Sequence, residues 1–174
     1  NIDFNNVQFI NESIKKINKS LNNNNFFWKG REYTYKNVKP RIIAEKLMVN
    51  NDGSNIMDFK FFNFHGKAKF ILVDTDKLQD HKHSFHDLNM KLLPFYCGKN
   101  KQYDNVIVDK PEKLDEMVRI SEILSKDFSF LRVDLYNINN QIYFGELTFH
   151  HNGGTVLFSP YEWDLKIGDL IKLK

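Results

Sequence analysis

Apolar and polar positions change their period several times along this chain, and each change marks an element. From residue 11 to 21 the apolar positions Ile14, Ile17 and Leu21 recur at three and four residues. That is the spacing of an amphipathic helix, with Lys15, Lys16 and Lys19 left toward water. The tract Asn22-Asn23-Asn24-Asn25 then reads as a turn. An aromatic, charged stretch over 26–35 leads through Lys39-Pro40 into residues 41–48, a short apolar strand that turns polar at its end. Residues 58–64 and 67–74 are β-rich runs meeting at His65-Gly66, which predicts an antiparallel hairpin. The stretch from 76 to 109 is polar and irregular apart from the apolar patch 92–96. Pro111 opens a helix with the stripe Leu114, Met117, Val118, Ile120, Ile123 and Leu124, ending near Lys126. A second hairpin joins 130–136 to 141–149 through the Asn-rich turn 137–140, and a weak helix starts near Tyr161. This order of elements predicts an α+β fold, an antiparallel β-sheet packed against helices.

Composition narrows the class. The 174 residues suit a single main domain, with residues 1–25 as a helical lead-in to 26–174. Hydrophobic residues at 41% and charged residues at 27% are those of a globular chain, which excludes collagen, coiled coil and wholesale disorder. A net charge of +3 is too mild to announce a nucleic-acid or membrane surface. Cys97 is the one cysteine, so no internal disulfide can form and a reducing compartment is expected. No apolar run approaches the roughly 18 residues of a membrane span.

Candidate chemistry concentrates on the hairpins. Side chains alternate faces along a strand, so Arg132, Asp134 and Tyr136 share one face, and Phe144, Glu146 and Thr148 share one too. A turn at 137–140 sets Asp134 nearly opposite Glu146. Two facing carboxylates repel unless something positive lies between them, which points to a divalent cation or a shared proton. Hard oxygen ligands suit Mg²⁺ completed by substrate phosphates, and Arg132 could hold phosphate oxygens beside it. The same alternation is also what a solvated strand face with cross-paired charges shows. In the first hairpin Asp58 and Lys60 share a face. Lys39 and Arg41 stand on the strand before it, and Glu45 stands where that strand meets its loop. Together they read either as a polyphosphate cradle or as surface lysines of a lysine-rich chain.

Three further signals carry alternatives. His81, His83 and His86 lack a nearby Cys or tight ligand pair for zinc, and Lys82 among them suits an acidic acceptor better. His150-His151-Asn152-Gly153-Gly154 reads as an anion-binding turn or as an ordinary loop. Cys97 has no sequence-near base that would make it a nucleophile.

Several runs in order resemble the TupA-like ATP-grasp family, named for teichuronopeptide biosynthesis. They are residues 35–46, 58–67 with 70–74, 131–136 continuing into 142–149, and Glu162-Trp163-Asp164 before Gly168-Asp169-Leu170. The resemblance implies an ATP-grasp fold holding ATP between two α+β subdomains. It also implies carboxylate–amine ligase chemistry through an acyl phosphate, serving cell-surface polysaccharide or teichuronopeptide synthesis. On this resemblance Glu45, Lys46 and Leu47 are the hinge that meets adenine, and Asp58 and Lys60 face the phosphates. Asp134 and Glu146 are then the Mg²⁺ carboxylates with Arg132 beside them, and Thr148 stands where the family commonly has Asn. The implied cofactors are ATP and Mg²⁺. The implied partners are a small-molecule, glycan or peptide carboxylate acceptor and an amine donor, with no nucleic acid. The family's upstream Lys strand and glycine-rich loop have no counterpart after Asn1, so the sequence reads as the C-terminal part of a longer protein. The alternative reading is a non-catalytic ATP-grasp remnant or a glycan-binding module beside a glycosyltransferase.

Overall fold

The computed structural model describes residues 7–21, 25–46, 48–54, 56–75, 82–98 and 108–172. The chain divides into two compact units, Asn1–Leu47 and Met48–Lys174.

In the first unit the predicted helix begins one turn earlier, as α1 (Val7–Leu21), and buries none of its residues; Ile14 and Ile17 are exposed. A short helix α2 (Asn25–Gly30) and a 3₁₀ turn (Tyr33–Tyr35) follow. They are tied by the edge-to-face rings of Phe27 and Tyr33 at 6.4 Å and by Lys36 Nζ lying over both. The strand expected over 41–48 does not form, since residues 41–46 and 48–50 have no regular structure and Ile43 is exposed. A strand exists only where a partner satisfies its N–H and C=O groups, and β propensity at Ile42-Ile43 does not supply one.

The second unit is built on a five-stranded, wholly antiparallel sheet. Its strands are β1 (Asp58–Phe64), β2 (Lys67–Thr75), β3 (Lys82–His86), β5 (Phe130–Ile138) and β6 (Gln141–Thr148) in the order β3-β2-β1-β5-β6. Both predicted hairpins are present. Each turns on two left-handed residues, His65-Gly66 at φ 49° and 73° and Asn139-Asn140 at 51° and 58°, the geometry that matches strand twist. At Gly66 the positive φ is one reason for glycine; a Cβ there would also lie 2.8 Å from Lys126 Cα. The edge strand β3 corrects the expectation of irregular chain after Asp76. Its segment Lys82-His83-Ser84-Phe85-His86 has one strongly apolar side chain, too few to show a period.

The sheet has two differently covered faces. Against one lies α3 (Leu114–Ser125), which packs Leu114 and Met117 on Phe59, Phe61, Ile71, Val73, Leu131, Val133 and Leu135. The predicted stripe needs correcting at its end, because Ile123 and Leu124 are exposed while Ser121 is buried. Ser121 Oγ donates to Oδ1 of the fully buried Asn63, whose Nδ2 donates to the Phe61 and Leu131 carbonyls. Every polar group of that core pair therefore has a partner.

On the opposite face an aromatic cluster of Phe62, Phe64, Phe70, Phe85 and Phe95 covers only one end of the strands. Over it lie α4 (Tyr161–Gly168) and the two-residue ribbon of β4 (Tyr96–Cys97) with β7 (Phe158–Ser159). Trp163 of α4 stacks on Phe95 at 4.7 Å. The other end of this face carries the charged residues.

Candidate functional site

Pairing of β1 with β5 assembles the site. Asp58 is registered against Tyr136 and Lys60 against Asp134, and β2 places Asp74 opposite Asp58 from the other side. Period-two alternation then aims Asp58 and Lys60, Asp74, and Arg132, Asp134 and Tyr136 at one surface. Sequence distance hides this, because strands 74 residues apart in the chain become nearest neighbours.

Glu146 joins them through a β-bulge. Counting back from the Asn139-Asn140 turn, the register runs Ile138↔Gln141, Asn137↔Ile142, Tyr136↔Tyr143 and Leu135↔Phe144. Continued unbroken, it would face Gly145 with Asp134 and turn Glu146 to the α3 side. Instead the register shifts between Asp134 and Leu135, and Asp134 pairs with Glu146 and Arg132 with Thr148. The expectation that Phe144 and Glu146 share a face is therefore corrected. Phe144 lines a hollow on the α3 side with Ile120, Leu135 and Ile142, while Glu146 faces the charges. Gly145 is the extra residue of the bulge; a Cβ on it would come within 3.0 Å of the Asp134 carbonyl oxygen and 2.8 Å of the Tyr136 ring.

The resulting network is dense. Lys60 Nζ donates to Asp58 Oδ2 at 2.6 Å and to Asp134 Oδ2 at 2.8 Å, and lies 3.5 Å from Asp74 Oδ2. Arg132 grips Asp134 with two parallel bonds, Nε to Oδ1 at 2.7 Å and Nη2 to Oδ2 at 2.8 Å. Nη2 also reaches Glu146 Oε1 at 3.2 Å, and Nη1 donates to His151 Nδ1 at 3.0 Å. The Thr148 hydroxyl donates to Glu146 Oε1. What lies between the two facing carboxylates is thus the Arg132 guanidinium.

Burial sets the electrostatics. It would lower Lys60 by itself, but the Asp134 and Asp58 carboxylates outweigh it and hold the ammonium above its ordinary value. Arg132 is likewise raised against burial by Asp134, with Glu146 and Asp58 adding to it. Burial pushes the Asp134 carboxyl up while Arg132 and Lys60 pull it back. His151 is driven down to about 3 by burial and by the charges of Arg132 and Lys60, so its ring is neutral. Four carboxylates (Asp58, Asp74, Asp134, Glu146) against two cations (Lys60, Arg132) leave a formal surplus of two negative charges.

That surplus bears on the fit of a divalent cation. Asp134 Oδ1 accepts one of the bonds above and keeps a lone pair, and the Glu146 side chain is 62% exposed. Thr148 adds a hydroxyl oxygen. Among the described residues no three His, Cys, Asp or Glu side chains form a ready-made cage. An all-oxygen donor set short of a cage fits Mg²⁺, which relies on one or two carboxylates and on substrate phosphates.

Lys39, Arg41, Glu45 and Lys46 are exposed on the irregular segment of the first unit, and Leu47 lies outside the described residues. His81 is outside them too. His83 pairs with Asp74 on the charged face, whereas the His86 ring bonds to Ser84 Oγ and the Met90 carbonyl. Asp74, His83 and His151 reach the site without having been singled out for it, since nothing local in the sequence reports cross-strand neighbours. With Lys60, Arg132 and Cys97 they line a cavity of 190 Å³. Burial raises the Cys97 thiol, which keeps it a poor nucleophile. His151 also borders a larger, mostly apolar hollow of 570 Å³ lined by Phe64, Phe130, Phe149, Leu157 and Ile167.

The model of the TupA-like ATPgrasp family matches residues 1–172, essentially the whole chain. The chain belongs to the TupA-like ATP-grasp family. Membership brings with it an ATP-dependent, ligase-type fold, and the α+β antiparallel sheet is consistent with it. No curated protein and no solved structure matches the chain. Among the described residues no helix is long and apolar enough to cross a membrane.

Proposed function

We propose that this TupA-like ATP-grasp chain serves a carboxylate–amine ligase that uses ATP and Mg²⁺. A substrate carboxylate attacks the γ-phosphorus and ADP leaves. An amine then attacks the acyl carbon, losing a proton as phosphate departs. The observation that carries this reading is the charge network of Lys60 and Arg132 with Asp58, Asp74, Asp134 and Glu146 on one sheet face, buried except at Glu146, with its formal surplus of two negative charges. Phosphoryl transfer asks a protein for positioning and charge neutralisation rather than covalent help.

Each residue has a role in that scheme. Asp134, Glu146 and Thr148 would hold Mg²⁺, which neutralises the nucleotide phosphates when bound. Lys60, kept protonated by Asp58 and Asp134, presents a fixed positive charge to the phosphates. Arg132, held in plane by Asp134, presents its outer edge to the transferring phosphoryl oxygens. Glu45, Lys46 and Leu47 would meet the adenine, and Lys39 and Arg41 the polyphosphate. The acceptor is a carboxylate on a glycan, peptide or small molecule, and the setting is cytoplasmic synthesis of surface polysaccharide.

Titration calorimetry of the full-length protein with a non-hydrolysable ATP analogue and Mg²⁺ tests this, with Glu146→Ala as comparison. Mg²⁺-dependent binding by the wild type and its loss in the variant are expected. Equal binding would overturn the metal role. Absence of binding by the wild type would favour the second reading, a non-catalytic remnant or glycan-binding module, to which the hydroxyl of Thr148 in place of an amide lends support.

A further inference from the structure

His151 stands at the end of the charge network but outside the ligand set. Arg132 has no acceptor atom, so the 3.0 Å contact requires that Nη1–H donates and His151 Nδ1 accepts. The ring proton therefore sits on Nε2, which faces Cys97 Sγ at 3.8 Å and the Asn152 side-chain amide at 3.3 Å, whose oxygen must be the atom that accepts it. Two aromatic contacts restrain the ring from turning: Phe62 meets it edge-on at 4.8 Å, and Phe158 lies nearly parallel at 6.1 Å. The loop that delivers His151 turns through left-handed Asn152 and Gly153, at φ 49° and 65°. Of the side chains bonded to the guanidinium, Asp134 holds its inner edge, Glu146 is largely exposed, and His151 holds Nη1 from the aromatic side.

We propose that His151 is a positioning residue for Arg132, a neutral acceptor that fixes the outer end of the guanidinium. The catalytic consequence rests on the ligase reading above. If Glu146 turns to a metal, Asp134 and His151 are the partners left to set the guanidinium plane. A displacement of about 1 Å at a charge facing a transferring phosphoryl group can lower the rate by roughly 10²-fold. The contact itself does not depend on the reaction.

Two variants separate hydrogen bonding from packing. His151→Phe keeps an aromatic ring between Phe62 and Phe158 but removes the acceptor, and His151→Gln restores an acceptor oxygen. ADP release from Mg²⁺-ATP by the full-length protein, supplied with pooled uronic acids and amino acids, reads the effect. For His151→Phe the expected result is a fall in kcat of roughly 10- to 100-fold, the range seen for partners that orient a reacting group, with KM for ATP within about threefold. His151→Gln should recover most of the loss. An unchanged kcat in His151→Phe, or a Gln variant no better than Phe, would overturn the proposal. Should the wild type neither release ADP nor bind the Mg²⁺-ATP analogue, the ligase reading falls, and side-chain ¹⁵N NMR of the nucleotide-free protein decides the positioning role. Separate, slowly exchanging Arg132 Nη signals in the wild type and Gln variant, merged in the Phe variant, are the expected pattern. Separate signals in all three would sink it.

Discussion

Lys60 of β1 and Asp134 of β5 oppose each other across an antiparallel pair, and Nζ donates to Oδ2 over 2.8 Å with both side chains largely buried. Neither charge tolerates loss of the other. Lys60→Met should leave Asp58 and Asp134 short of a buried cation and cost roughly 3–5 kcal/mol of stability. Urea denaturation measures this. A loss under about 1 kcal/mol would mean the pair behaves like an exposed salt bridge.

Asp134 and Glu146 share a register position but not an environment: the first side chain is 2% exposed and the second 62%. Glu146→Gln should change stability by no more than about 0.5 kcal/mol, as exposed substitutions do. Its affinity for the Mg²⁺-ATP analogue should nevertheless fall at least about tenfold. Asp134→Asn should lose both stability and affinity, because Arg132 and Lys60 lose their shared negative charge and one accepting oxygen becomes an NH2 donor. Denaturation and calorimetry on the two variants check the asymmetry.

The bulge makes a third prediction. Gly145→Ala places a methyl group against backbone, 3.0 Å from the Asp134 carbonyl oxygen, and should destabilise the protein by about 1–3 kcal/mol. Analogue binding should weaken as Glu146 leaves its register. Gly168→Ala is the control, because a Cβ there meets nothing within 4 Å. Equal denaturation midpoints for the two variants would refute the steric account.

His151 makes stability depend on acid. Its folded-state value of about 3 lies below the ordinary 6.5, so the unfolded chain binds a proton that the folded protein refuses. Stability contributed above pH 6.5 is lost as the pH falls toward 3 and is flat at higher pH. The ring meets Arg132, the Cys97 thiol and the Asn152 amide and shares its cavity with Lys60, Asp74 and His83; the charges of Arg132 and Lys60 oppose its protonation. His151→Gln should lose less stability than the wild type between about pH 7.5 and about pH 4.5, as followed by urea midpoints. Parallel losses would exclude His151 as the source.

Local pattern decided a good deal of this protein. Alternation and turn-forming residues at His65-Gly66 and Asn139-Asn140 determined two hairpins, and a 3.6-residue stripe determined the helix that opens at Leu114. The faces of Asp58 with Lys60 and of Arg132 with Asp134 followed from period two alone, because a strand has no other way to place its side chains. Three things were decided only by tertiary structure. The adjacency of β1 and β5, which brings Lys60 to Asp134, depends on which strand edges meet in the sheet. Strand formation at β3 and its absence at residues 41–46 depend on whether a neighbouring edge offers hydrogen bonds. The facing of Glu146 depends on one inserted residue, Gly145, that no periodic signal contains. Sequence reports the interactions a residue makes with its near neighbours along the chain, whereas this site is made across strands, where pairing and close packing choose the partners.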